Sequence, residues 1–108
     1  MFFEDYKTHK KEQISPAILW EYDLNSKNWD WNKMSKTVVQ RVVERGREGD
    51  YYAMLQMYGG FEGVKKIIKE IPYLSNKNMN WCCVLFDLKK EDLWSYKRML
   101  LRKKLLNS

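Results

Sequence analysis

His9 is the only histidine in the chain, so the body of the protein has no histidine triad, multi-histidine metal site or histidine proton shuttle. Cys82 and Cys83 are adjacent in an apolar stretch. Neighbours on a helix point about 100° apart, a poor geometry for a mutual disulfide, so two buried thiols in a reducing compartment are expected. Among the carboxylates, Glu21 with Asp23, Asp30, and Glu48 with Asp50 are the candidates for chemistry. Such pairs can hold Mg²⁺ or move protons, but at helix starts and turns they more often serve as caps and dipole partners. Gly46-Arg47-Glu48-Gly49-Asp50 is glycine-spaced like a phosphate loop, yet its acidic residues repel phosphate. No nucleotide-binding, nucleophile-elbow or EF-hand pattern occurs. The expectation is a protein that is not an enzyme and carries no cofactor and no metal.

Two constellations point to binding instead. Phe61 to Phe86 reads as helix, a tight Ile71-Pro72-Tyr73-Leu74 turn, and a second helix that opens with Asn76, Lys77 and Asn80 before becoming apolar. A helix-turn-helix divides its labour in this way, with a polar end for the groove of DNA and an apolar remainder for the core. Any helix entering a core from solvent does the same, and the turn lacks the glycine common in that motif. The second constellation is the C-terminal stretch. Residues 1–88 are close to neutral, while residues 89–108 carry seven basic residues against Glu91 and Asp92, out of a net charge of +6. Arg98, Arg102 and Lys103 are candidate phosphate contacts beside Asn76, Lys77 and Asn80. The basic residues scatter around the helix among leucines, which speaks against a membrane surface and for contacts with protein. Trp94, Leu101 and Leu105 are its candidate dimer or partner contacts. Phe2, Phe3 and Tyr6 supply the same kind of surface at the other end.

These residues need elements to hold them. The 108 residues, 44% hydrophobic and 31% charged, suit one soluble domain. No apolar run is long enough for a membrane span, and the acidic start does not resemble a signal peptide, so the cytoplasm is the expected address. Residues 1–14 read as an N-terminal arm and 15–108 as a single helical domain. Ser15-Pro16 opens a short helix to about Tyr22. A second helix, about 31–45, has Val38, Val39, Val42 and Val43 on one face and ends at Gly46. Asp50 is placed to cap a third, Tyr51 to Tyr58. A fourth runs from Phe61 to Glu70 and stops before Pro72. Ser75 caps a fifth, Asn76 to Phe86, whose apolar later half suggests a place at the centre of the core. Leu88 to Leu106 reads as a sixth. The fold class expected is all-α: a compact single domain of five to six short helices with a basic C-terminal helix.

One resemblance follows from particular segments. Leu19-Trp20-Glu21-Tyr22-Asp23, Trp31, Val38 through Gly46, Asp50, Leu55 with Tyr58-Gly59, Tyr73 through Lys77, Leu85-Phe86 and Lys90-Glu91-Asp92 are similar to a small bacterial domain family of unknown function. The resemblance spans about residues 17–96. Members are often encoded beside abortive-infection-type nucleotidyltransferase toxins, which implies an antitoxin or accessory role and no catalytic residues. The expected function is therefore a non-enzymatic, antitoxin-like protein that binds a partner protein, such as a neighbouring-gene toxin. The alternative is a helix-turn-helix-type DNA-binding regulator. A homodimer is expected in either case, with the arm or the C-terminal helix crossing to the other copy.

Overall fold

Four valines at helical spacing place one side of Ser35–Arg45 (α1) in the middle of the molecule, where Val38, Val39, Val42 and Val43 are buried. Gln40 and Glu44, one turn apart on its wetter side, join through Nε2 and Oε1 at 3.0 Å. The computed structural model describes residues 3–8 and 12–106, and among them the fold is all-α. Four further helices follow: Glu48–Met57 (α2), Gly60–Glu70 (α3), Asn76–Phe86 (α4) and Trp94–Leu106 (α5). Short 3-10 turns occupy Glu4–Thr8, Pro16–Leu19 and Lys90–Asp92. α1 packs against α2, α3, α4 and the Pro16–Leu19 turn.

α2 is the most deeply set helix, with Asp50 through Leu55 all buried. It starts three residues earlier than the sequence suggests. Asp50 is not its N-cap but its third residue, and the carboxylate reaches back to the Arg47 N–H at 2.9 Å. Gly59 and Gly60, at φ 82° and 73°, then turn the chain into α3 through conformations that favour glycine. Val64 and Ile68 of α3 and Ile71 beyond it are fully buried.

α4 begins and ends where the sequence predicts. Ser75 Oγ accepts from the Asn78 N–H at 3.2 Å, and Asp87 in the left-handed region ends the helix, with Leu88 N–H donating to Cys83 O at 3.0 Å. Its expected central position is corrected. Met79, Cys82, Leu85 and Phe86 face the core, but Val84 is 70% exposed, so α4 flanks a centre made by α1, α2 and α3.

The long sixth helix is corrected too. Asp92 accepts the Lys89 N–H at 3.2 Å and closes a 3-10 turn, Leu93 turns extended and plugs the core, and α5 starts afresh at Trp94. The short helix expected to reach Tyr22 contracts to Pro16–Leu19, and residues 31–34 are turns rather than helix.

Candidate functional site

The Pro16–Leu19 turn is tied to the core helices by two of their side chains. Asp50 of α2 accepts the Ser15 N–H at 2.6 Å as well as that of Arg47. Arg41 of α1 donates Nη1 to Ile18 O at 3.1 Å and pairs with the Glu21 carboxylate. Beneath these two tethers, Ile14, Ile18 and Leu19 insert into the core.

Past the turn the chain advances by side-chain-to-backbone bonds. Asp23 Oδ1 accepts from Asn25 N–H at 3.1 Å, Ser26 Oγ from Asn28 N–H at 3.1 Å, and Asp30 Oδ1 from Asn32 N–H at 2.9 Å. Rings fill the inside of this loop: Tyr22 lies 5.3 Å from Trp29, and Trp29 meets Trp31 edge-on at 5.2 Å. Tyr58 donates its hydroxyl to Trp31 O at 2.9 Å, and burial pushes that hydroxyl's pKa up to about 12, which keeps the donor protonated.

The result is an open groove of about 870 Å³, walled by Trp20, Tyr22, Leu24, Trp31 and Met57. Trp20 is 72% exposed. Glu12 and Asp23 stand at the groove, and none of its described lining residues is basic. No group of three His, Cys, Asp or Glu among the described residues could hold a metal ion. An aromatic floor with carboxylates beside it suits an apolar segment flanked by cations.

The residues singled out from the sequence fall elsewhere. Asn76, Lys77 and Asn80 are exposed on the leading turns of α4. Arg98 donates to Pro72 O at 3.2 Å, and the Arg102 guanidinium carbon lies 5.8 Å from the Tyr73 ring centroid. Two α5 arginines thus sit on the turn that leads into α4, with Lys103 exposed beyond them. Glu44 faces the same end of α4 across a smaller groove lined by Lys77, Asn80 and Val84. Trp94, Leu101 and Leu105 are exposed, as a contact surface requires. Phe3 and Tyr6 are half-buried against residues of their own chain. Phe3 stacks on Tyr51 at 4.9 Å and Tyr6 meets Phe61 edge-on at 5.6 Å, so this part of the arm docks on its own domain. Phe2 and His9 lie outside the described residues. Cys82 is buried, which pushes its thiol up to about 12, and burial also raises that of the half-buried Cys83.

The profile of a family of unknown function, DUF6922, matches residues 14–68. This chain belongs to that family. The DUF6922 segment stops inside α3, short of the residue 96 that the resemblance suggested, and so covers the tethered turn, the aromatic loop, α1 and α2. Of the groove residues named above, all but Glu12 lie within it, whereas every candidate contact on α4 and α5 lies outside. No curated protein and no solved structure matches the chain. The groove escaped sequence inspection because its walls come from residues 12–25, 31 and 57, with no local period to join them. Its one visible signal is the density of Trp20, Tyr22, Trp29 and Trp31 in a stretch without helical spacing.

Proposed function

We propose that this DUF6922 chain is a non-enzymatic, antitoxin-like protein of the bacterial cytoplasm whose partner protein docks in the aromatic groove. The observation that carries the proposal is an exposed tryptophan in an open aromatic groove, on a segment held by Asp50 and Arg41 and lying within the family match. Tryptophan and tyrosine on a rigid frame give large contact area at little entropy cost, and such residues dominate interface energetics. The resemblance to proteins encoded beside nucleotidyltransferase toxins supports the neighbouring toxin as the partner. The test is co-purification with that toxin. Trp20→Glu changes an exposed position, so folding stability moves by only about 0.5 kcal/mol while binding drops by more than about tenfold. Undiminished capture by Trp20→Glu refutes the proposal.

A second proposal, operator DNA binding, is favoured by one feature: Arg98 and Arg102 rest on the turn before the exposed Asn76, Lys77 and Asn80. Glu44 beside Lys77 and Asn80 opposes it, because phosphate is repelled there. Fluorescence titration distinguishes the outcomes. Asn80→Ala relaxes sequence preference and Arg102→Ala lowers the salt slope by about one unit if DNA is bound. Equal affinity for upstream and random duplex refutes operator recognition.

A further inference from the structure

α5 packs against α3 and the Lys90–Asp92 turn, and every residue from Leu100 to Leu106 is exposed. Its exposed apolar residues lie on several faces, with Leu100 and Leu106 away from the other three. At about 100° per residue, Trp94, Leu101 and Leu105 fall within about 40° of one another, on a stripe about 16 Å long. They are 47%, 55% and 74% exposed. Lys97, Arg98 and Lys104 border the stripe, and no acidic residue occurs between Trp94 and Leu106. The aromatic groove has the converse character: apolar walls, Glu12 and Asp23 beside them, and no described basic residue in the lining. One chain therefore carries both halves of a complementary pair.

Two α5 helices are poor partners for each other, because the cations that border one stripe would meet those that border the other, and like charges across an interface are strongly unfavourable. The groove answers the apolar stripe and the charge of α5. Its volume of about 870 Å³ lies in the range of sites that enclose several apolar groups. We propose that α5 of one copy seats its Trp94–Leu101–Leu105 stripe in the aromatic groove of a second copy, which returns its own α5 in exchange. Reciprocal contacts of this kind close into a two-fold dimer. The proposal rests on the groove being a docking site and adds a second copy as its occupant. In the dimer each groove is filled, so self-association and partner capture compete.

The experiment is sedimentation velocity on the full chain at tens to hundreds of micromolar in low salt. Wild type sediments as a dimer that weakens as salt rises. A helix variant, Leu101→Asp with Leu105→Asp, and a groove variant, Trp20→Glu, each associate at least about tenfold more weakly. Mixed together they form a heterodimer, because the mixture restores one intact helix facing one intact groove. All the substituted side chains are exposed, and circular dichroism checks that both variants fold. A monomeric wild type, a Trp20→Glu variant that dimerises undiminished, or a mixture that stays monomeric overturns the proposal. The two proposals fail separately. A monomeric wild type whose toxin capture depends on Trp20 removes the dimer alone, while a Trp20-dependent dimer that captures toxin equally well without Trp20 removes the partner site alone.

Discussion

Replacing Asp50 with alanine removes the acceptor for two main-chain donors at once, the Ser15 N–H at 2.6 Å and the Arg47 N–H at 2.9 Å. Asp50 is buried, so water compensates the loss poorly. Hydrogen bonds to a charged acceptor contribute about 1.5–3 kcal/mol each. Ser15 is only partly buried and its N–H regains some hydration, which brings the expected total to about 3 kcal/mol. Out of a typical stability of about 5–15 kcal/mol that is a large fraction. In urea, with a slope of about 1.5 kcal/mol per molar for a domain of this size, the midpoint falls by about 2 M. Asp50→Asn keeps one acceptor oxygen and turns an NH2 donor toward the other main-chain N–H, so it retains only one of the two bonds and loses at least about half as much. Ser15→Pro removes the first donor while respecting its φ of −66°, so its cost overlaps with that of Asp50→Ala. A double-mutant cycle then shows coupling of about 1.5 kcal/mol. An Asp50→Ala midpoint within about 0.3 M of wild type, less than a typical 1 kcal/mol substitution produces, refutes the tether.

Three other outcomes are expected. Burial pushes Tyr51 and Tyr58 from 10.0 to about 12, so the fold favours their neutral forms. Their stabilisation is fully present below pH 10 and is lost between pH 10 and about 12, read by thermal melts beside tyrosinate absorbance; a melting point that stays level across that window refutes it. Cys83 reacts slowly with a thiol reagent and Cys82 only on unfolding, so two fast thiols in the native protein contradict the buried placement of Cys82. Ser75→Ala unties the start of α4 and costs about 1 kcal/mol by denaturant titration, whereas an unchanged midpoint shows that the cap contributes nothing.

What could be read from the sequence was what neighbours in the chain decide. Ser75 and the apolar spacing after it set both ends of α4, and the valines of α1 announced their buried face. What could not be read depends on residues far apart. Asp50 looked like a cap for its own helix because nothing local shows that Ser15 arrives 35 positions away to share it. The turn at Pro16–Leu19 is pinned by Arg41, which bonds the Ile18 carbonyl from 23 positions away. The sixth helix looked continuous because the Lys89–Asp92 bond that interrupts it leaves the pattern of apolar residues intact. The apolar later half of α4 does not reveal that Val84 lies on an outer face. The candidate contacts on α5 were found by residue type, but the groove that complements them is assembled by the fold.

The two tethers of the groove hold main-chain atoms, the amide of Ser15 and the carbonyl of Ile18. A peptide group is the same whichever side chain it bears. Residues 17, 20 and 25 can therefore exchange size, charge and aromaticity without loosening the frame that presents them. Asp50 and Arg41 are bound to their roles, while the groove-facing positions answer only to whatever docks there. A lineage under pressure to follow a changing partner can rewrite the lining residue by residue and keep the same scaffold beneath it.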